Sequence, residues 1–250
     1  MKTKIGFVCV VLFFLSMISC AGGAKTQKKE RILSLEEHFQ LAFNAAQRGN
    51  LEEAVTEYET VLEMDPNSTQ AHINLGIVYA RQGEWKKEVA EYKKAIKTNP
   101  DSAEAYYHLG VAYNENGDLD EAIAQYEKAL KINPNYVEAH NNLGVIHFKK
   151  GRLEEALSEY RKAVEIKPDY AKGHYNIGSV LLQQKKLNEA IASFQRALEV
   201  HPKYGEAHYA LAVAYYEKGE FQPAIEHCDQ AEKLGVLPDP QLTERLKPHR

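Results

Sequence analysis

The amino-acid sequence predicts an all-α protein made of repeated helical hairpins. The first observation behind this prediction is a set of prolines that recur every 34 residues, at Pro66, Pro100, Pro134, Pro168 and Pro202. A constant period of this length is typical of stacked supersecondary units. Within the unit 103–136, an apolar pattern of helical period runs to Tyr113, breaks at Gly117 and resumes from Leu119 until the proline. This order indicates helix, turn, helix and loop in every unit.

Two positions of the unit indicate how its helices pack. The seventh position is apolar in all six units and reads Leu41, Leu75, Leu109, Leu143, Ile177 and Leu211. The eighth position is small and reads Ala42, Gly76, Gly110, Gly144, Gly178 and Ala212. Small side chains let two helix backbones approach closely, so we expect tight packing within each unit. A glycine such as Gly117 is suited to the left-handed conformation that ends a helix.

These residues resemble the tetratricopeptide repeat (TPR) family, with six units that cover Leu35 to Pro238. Further positions match its motif, namely the alanines Ala54, Ala122, Ala156, Ala190 and Ala224 and the aromatic residues Tyr58, Tyr92, Tyr126, Tyr160 and Phe194. The family's tryptophan near the start of the first helix is replaced by His38, His72, Tyr106, His140, His174 and His208. Other departures are Glu88 at a small position, Lys185 at a turn glycine, and Cys228 and Val236 in the last unit.

The resemblance implies a right-handed superhelical solenoid of helix-turn-helix units. The expected units are 35–68, 69–102, 103–136, 137–170, 171–204 and 205–238. Ser34 and Glu37 form the sequence pattern of a capping box that begins the first helix. At the other end, Asp239 can cap a short helix opened by Pro240, so residues 239–250 are predicted to form a capping helix and tail over the last repeat.

The amino-terminal residues have the layout of an export signal. Lys2 and Lys4 precede a short apolar run, and residues 17–20 resemble a bacterial lipobox. We therefore expect a signal peptide at 1–19, lipid attachment at Cys20 and a tether over 20–34. Two alternatives stay open at this point: cleavage by a conventional signal peptidase, and an uncleaved anchor.

Composition and motifs argue against several functions. The net charge of −4 does not favour nucleic-acid binding, and three cysteines show neither disulfide nor metal spacing. The stretch 173–179 has the glycines of a phosphate loop but lacks its lysine. The repeated histidines are one unit apart, too far for a shared metal, and are interpreted as structural. No cofactor, metal or catalytic residue is expected.

The first helix of each repeat lines a concave groove in this family, which identifies candidate ligand-binding residues. At the sixth position a ladder of polar side chains reads Gln40, Asn74, His108, Asn142, Asn176 and Ala210. The neighbouring groove candidates are Ile73, Tyr107, Asn141, Tyr175 and Tyr209. The ladder resembles the asparagine ladder of the O-linked N-acetylglucosamine transferases, whose amides can pair with a peptide backbone. The alternative interpretation is that these amides hydrogen-bond neighbouring helices.

The sequence therefore predicts a non-enzymatic adaptor. It would bind a protein or an extended peptide in its groove and reach the membrane through a lipid anchor, with the outer membrane facing the periplasm as the expected location. A narrower alternative is a pilotin-like lipoprotein that assists secretin or type IV pilus assembly, which the architecture resembles. A third alternative is an accessory subunit of a glycosyltransferase or another envelope enzyme.

Overall fold

The computed structural model describes residues 33–250, which form thirteen α-helices and a final 3₁₀ turn. The expected signal peptide at 1–19, Cys20 and the tether up to residue 32 lie outside the described residues. The helices are α1 (Leu35–Arg48), α2 (Leu51–Met64), α3 (Thr69–Gln82), α4 (Trp85–Thr98), α5 (Ala103–Asn116), α6 (Leu119–Ile132), α7 (Val137–Lys149), α8 (Leu153–Ile166), α9 (Ala171–Gln183), α10 (Leu187–Val200), α11 (Gly205–Lys218), α12 (Phe221–Lys233) and α13 (Pro240–Leu246).

The helices pack as six hairpins in sequence order, which confirms the predicted all-α repeat architecture. Each hairpin joins an odd-numbered first helix to the even-numbered second helix that follows it, from α1 with α2 to α11 with α12. Each second helix then packs against the first helix of the next repeat. None of the helices in this described part of the chain has the length and hydropathy that a bilayer span requires.

The first helices lie on the inner side of the array. Four of the five successive pairs of first helices approach one another, namely α1 with α3, α3 with α5, α7 with α9 and α9 with α11. No pair of second helices within residues 33–250 approaches to the same extent. The array therefore bends toward its first helices, and they line the groove that the family resemblance implies.

A ring-on-backbone contact holds each hairpin together. A Cβ atom placed on Gly110 would lie 2.7 Å from a ring carbon of Tyr126, and one on Gly144 would lie 2.7 Å from Tyr160. Both rings are buried, as are their counterparts on the other second helices. The small eighth position is thus required in repeats 3 and 4, because the ring of the second helix occupies the space of a side chain.

The turn between the two helices of a repeat uses a left-handed residue. Gly117 has φ 89° and accepts this conformation without a steric penalty. In repeat 5 the same place is taken by Lys185, whose φ is 59°, the only positive φ of a non-glycine residue in the described part of the chain. The hairpin still closes there, since the backbone N–H of Lys185 donates a hydrogen bond to the carbonyl of Leu182.

The two ends of the array differ. Ser34 and Glu37 form the predicted capping box at the start of α1. At the other end, Leu242 and Leu246 of α13 are buried against the last hairpin, which confirms the predicted capping helix. Among residues 33–250 no helix covers the first repeat in this way, and Leu41 is 39% exposed whereas its five counterparts are buried.

Glu88 is a buried carboxylate at a position that other repeats fill with alanine. Its side chain is part of α4 and is 4% exposed. It forms no hydrogen bond or ion pair with the other described residues. Burial, and secondly the charge of Glu115, raises the pKa of Glu88 to about 7. The folded state therefore binds this proton more tightly than the unfolded state, and stability is lost as the pH rises from 4.5 through about 7.

We expect Glu88→Ala to stabilise the protein above neutral pH. Alanine fits because five other repeats carry it here, and the variant no longer has to bury a charge. At pH 8 the free energy of unfolding should rise by about 1–3 kcal/mol, and at pH 5 the gain should be much smaller. Urea denaturation at both pH values measures the effect. Glu155→Ala, on the exposed face of α8, serves as the control, and an equal gain at both pH values would contradict this account.

Candidate functional site in the groove of the first helices

The structure places the nine predicted groove residues on α3, α5, α7, α9 and α11, but it does not leave all of them open to a ligand. Ile73 and Asn141 are each 1% exposed and belong to the packed interior. The other seven are partly buried, with at least part of the side chain accessible, namely Asn74, His108, Asn142, Asn176, Tyr107, Tyr175 and Tyr209.

The fifth-position aromatic residues brace the second helix of their own repeat. The ring centroid of Tyr107 lies 5.9 Å from that of Tyr126, and the centroid of Tyr175 lies 5.8 Å from that of Phe194. Tyr209 packs partly buried against the last hairpin and accepts a hydrogen bond from the backbone of Asp239. These side chains therefore contribute to the core with their rings, and only their outer parts can meet a ligand.

A chain of side-chain hydrogen bonds crosses repeats 3, 4 and 5. Asn176 Nδ2 donates to Asn141 Oδ1 at 2.7 Å, Asn141 Nδ2 donates to Asn142 Oδ1 at 3.3 Å, and Asn142 Nδ2 donates to the Tyr107 hydroxyl at 3.3 Å. We call these four residues the amide network. The donors of the ladder amides are thus engaged by neighbouring repeats, while the Asn176 oxygen forms no hydrogen bond with the described residues.

The remaining ladder positions do not extend this network. Gln40 donates to Asn44, and Asn74 accepts from Gln70, so both bonds stay within one helix. His108 stacks on Tyr92 with centroids 5.6 Å apart, and burial lowers its pKa. The ladder is therefore one continuous polar arrangement only in repeats 3 to 5.

Three tyrosines that the sequence analysis did not single out also lie at this part of the groove. Tyr136, Tyr170 and Tyr204 occupy the last position of repeats 3, 4 and 5, directly before a first helix. The Tyr136 ring lies 4.8 Å from that of Tyr107, and the Tyr204 ring lies 5.2 Å from that of Tyr175. The recurrence of tyrosine at one repeat position was the available sequence signal. We call Tyr107, Tyr136, Tyr170, Tyr175 and Tyr204 the tyrosine cluster.

Burial raises the pKa of several phenols of the tyrosine cluster. Burial first, then the charge of Glu138, raises the pKa of Tyr107 and takes that of Tyr170 to about 12. Burial, followed by Tyr175 and Glu206, raises the pKa of Tyr204 to about 12. The phenols are therefore hydrogen-bond donors and acceptors at neutral pH. The hydroxyls of Tyr136, Tyr170, Tyr175 and Tyr204 make no hydrogen bond with residues 33–250.

The repeated histidines connect one repeat to the next. His140 Nε2 donates to the carbonyl of Pro134 at 2.9 Å, and its Nδ1 lies 2.6 Å from a carboxylate oxygen of Glu159. His72 makes the same two contacts with Pro66 and Glu91. Each ring nitrogen of these two histidines thus lies at hydrogen-bond distance from an oxygen. These histidines hold the loop before a repeat against that repeat's second helix.

No cluster of three or more metal-ligating side chains occurs within residues 33–250. His208 and His227 do approach, with their Nδ1 atoms 2.9 Å apart, a hydrogen-bond distance that replaces the histidine–glutamate contact in repeat 6. Cys228 is buried beside them and has no disulfide partner in the described structure, and burial raises its pKa. The described side chains thus supply hydrogen-bonding and stacking groups rather than an activated nucleophile.

Comparison with family models shows that the chain belongs to the tetratricopeptide repeat family. A "TPR repeat" model matches residues 46–83, 82–117, 112–151, 144–185 and 178–219. A "Tetratricopeptide repeat" model matches residues 205–234. The family is one of protein-interaction scaffolds, so the class of this protein is a repeat scaffold that binds proteins or peptides. No curated protein matches the chain.

Several solved structures resemble the chain. The crystal structure of MamA is 27% identical, covers 69% of this chain and 94% of its own, and has a TM-score of 0.59. The structure of YrrB, described as a TPR protein with an unusual peptide-binding site, is 26% identical, covers 76% and 97%, and has a TM-score of 0.61. Pseudomonas aeruginosa pilF is 19% identical, covers 86% and 97%, and has a TM-score of 0.75, which shows the shared fold alone.

We expect Glu159→Gln to reduce the acid sensitivity of the fold. Burial opposes the charge of Glu159, but hydrogen bonds from His140 and Lys162 outweigh it and lower its pKa. The stabilisation is therefore complete above the ordinary value of 4.5 and is lost as the pH falls through the lower folded value. Between about pH 5 and pH 3 the variant should lose about 1–2 kcal/mol less stability than the wild type.

Urea denaturation across this pH range tests the expectation. The variant should also be the less stable protein at pH 7, because it has lost the charged partner of His140. Glu165→Gln changes an exposed carboxylate near the end of the same helix and should reproduce the wild-type curve. Equal acid slopes for the wild type and Glu159→Gln would show that the histidine–glutamate pair does not carry this stability.

Proposed function

We propose that this protein is a non-enzymatic scaffold whose groove over repeats 3 to 5 holds an extended segment of a partner protein. The observation that carries the proposal is the amide network beside the tyrosine cluster. Within the network, Asn141 is buried and fixes the side-chain orientation of Asn142 and Asn176. An amide oxygen has two lone pairs, so Asn142 and Asn176 retain acceptor capacity for a peptide N–H.

Preorganisation is the physical advantage of this arrangement. A ligand that meets side chains already held by hydrogen bonds does not have to order them, and that entropic cost is removed from the binding free energy. The open hydroxyls of the tyrosine cluster add donors and acceptors on rigid rings. Partner backbone groups can then pair with the groove largely independently of the partner's sequence, which suits a scaffold.

The comparison with YrrB supports the same proposal. That protein is described as having a peptide-binding site, and it matches most of this chain at 26% identity. From the likeness to YrrB we take the fold and, as a proposal, the class of ligand. The residues proposed to bind that ligand are identified from the geometry of this chain alone.

We also propose that the scaffold is held at the bacterial cell envelope by a lipid on Cys20. The support is the amino-terminal sequence, with its basic start, short apolar run and the lipobox-like residues before Cys20. An acylated amino-terminal cysteine carries several hydrocarbon chains, which is enough for stable anchoring. In this arrangement the described repeats face the periplasm from the outer membrane.

A pilotin-like role in secretin or pilus assembly is the second candidate. What favours it is the combination of the proposed anchor with six repeats, together with a fold that matches pilF over 97% of that chain. At 19% identity the match supports only a shared fold, so the proposed pilotin role rests on the number of repeats and the proposed anchor. Co-purification with a secretin subunit would separate it from a general adaptor.

The combined variant Asn142→Ala and Asn176→Ala should weaken capture of the partner. Each change removes a groove-facing amide, and alanine is tolerated at this position because repeat 6 carries Ala210. We expect partner recovered from detergent-solubilised envelope to fall about ten-fold, as the loss of two hydrogen bonds implies. Quantitative mass spectrometry of the captured proteins provides the measurement.

The matched control removes two exposed polar side chains from second helices, with Asn188→Ala and Gln222→Ala. It should capture the partner as the wild type does. The groove variant loses the three internal hydrogen bonds of the amide network, so its stability is measured in parallel, and a fold still complete at the assay temperature is required. Unchanged capture by that folded variant would place the binding surface elsewhere.

Cys20→Ser should release the protein from the membrane. The substitution removes the thiol that would be acylated and leaves the apolar run unchanged. Fractionation of cells that express the wild type and the variant, followed by labelling with a radioactive fatty acid, gives the readout. A variant that stays in the membrane fraction, or a wild type without label, would contradict lipid anchoring. Cys9→Ser is the control and should leave both labelling and fractionation unchanged.

A further inference from the structure

Three carboxylates border the tyrosine cluster. Glu104, Glu138 and Glu206 stand at the second position of α5, α7 and α11, in the first turn of each helix. Glu138 is close enough to Tyr107, Tyr136 and Tyr170 to interact electrostatically with all three, and Glu206 interacts in the same way with Tyr204. The carboxylates and the rings therefore form one surface rather than two separate patches.

None of these three carboxylates has a basic partner within residues 33–250. Several carboxylates elsewhere in the array are paired with lysine, as Glu91 is with Lys94, Glu159 with Lys162 and Glu217 with Lys185. One basic residue, Lys172, stands at the second position of repeat 5, and it forms no ion pair with the described residues. The border of the tyrosine cluster thus retains uncompensated negative charge.

Aromatic rings and carboxylates favour the same kind of ligand. The face of a tyrosine ring attracts a cation through its quadrupole, most often the guanidinium of arginine. The hydrocarbon part of an arginine or lysine side chain can lie along a ring while its charged end meets a carboxylate. An acidic segment would be repelled by the three carboxylates, which makes charge the selective feature of this groove.

We propose that the groove of repeats 3 to 5 selects an extended peptide segment that carries arginine or lysine side chains. This inference rests on the proposed function and adds the chemical class of the partner segment. The amide network pairs with the backbone of the segment, and the tyrosine cluster with Glu104, Glu138 and Glu206 receives its cationic side chains.

The geometry also indicates how far apart the cationic side chains stand. The two close ring pairs, Tyr107 with Tyr136 and Tyr175 with Tyr204, are two repeats apart along the groove. Packed helices are spaced by about 8–10 Å, so two repeats span about 20 Å. An extended chain rises about 3.3 Å per residue, which places the two basic side chains about six residues apart.

The test uses fluorescent decapeptides and the full-length chain in a mild detergent. One peptide carries two arginines six residues apart in a glycine–serine background, a second replaces them by citrulline, and a third by glutamate. Citrulline keeps the shape of arginine and removes its charge. Fluorescence anisotropy should give a Kd about ten-fold lower for the arginine peptide than for the citrulline peptide, and the difference should shrink in high salt.

Glu138→Gln should reduce the preference for arginine over citrulline while it leaves citrulline-peptide binding unchanged. Glu189→Gln, which changes an exposed carboxylate on α10, should keep the wild-type preference. Equal affinity of the wild type for arginine and citrulline peptides, or tighter binding of the glutamate peptide, would overturn this inference and leave the peptide groove intact. The proposed function itself would be overturned if none of the three peptides binds. It would also be overturned if the variant Asn142→Ala with Asn176→Ala binds the peptides with the same Kd as the wild type.

Discussion

The contact between an aromatic ring of the second helix and a small residue of the first helix is the constraint on which the rest of the structure depends. Tyr126 against Gly110 and Tyr160 against Gly144 show its geometry, with no room for a β-carbon between ring and backbone. This contact sets the distance between the helices of a hairpin. Because the same distance recurs from repeat to repeat, the hairpins stack in a regular array and the first helices face one groove.

The groove inherits its chemistry from this packing. A side chain at the fifth position of a first helix has to fill space against the second helix, so its body belongs to the core. Ile73 is completely buried in this packing, whereas Tyr107 and Tyr175 are long enough to keep their outer parts at the surface. Asn141 is the one polar residue at this position, and its buried amide joins the network that orients Asn142 and Asn176. The polar part of the groove is therefore a continuation of the core.

Hydrogen bonds of the repeated histidines fix several of the loops between repeats. A histidine near the start of a first helix binds the proline carbonyl of the preceding loop and a glutamate of its own second helix, as His72 and His140 do. Repeat 3 has Tyr106 and Gln125 at these places, and repeat 6 has a histidine pair. The histidine–glutamate contacts thus occur at only some of the junctions. A change of pH therefore affects the stability of the repeats unequally. Rising pH destabilises the fold at Glu88, whose pKa is raised, whereas falling pH destabilises it at Glu159, whose pKa is lowered.

The repeat pattern alone determined the fold class, the hairpin order, the capping box at Ser34 and the helix that covers the last repeat, because each follows from local periodicity, turn chemistry or caps. The sequence also marked the part of each first helix that faces the groove. Only the tertiary structure decided which of those side chains remain accessible, since burial depends on the neighbouring repeat. It buried Ile73 and Asn141, engaged the ladder amides with one another, and brought Tyr136, Tyr170 and Tyr204 to the groove. Contacts between residues 35 apart arise from stacking, and a linear pattern does not specify which partner a side chain meets across that junction.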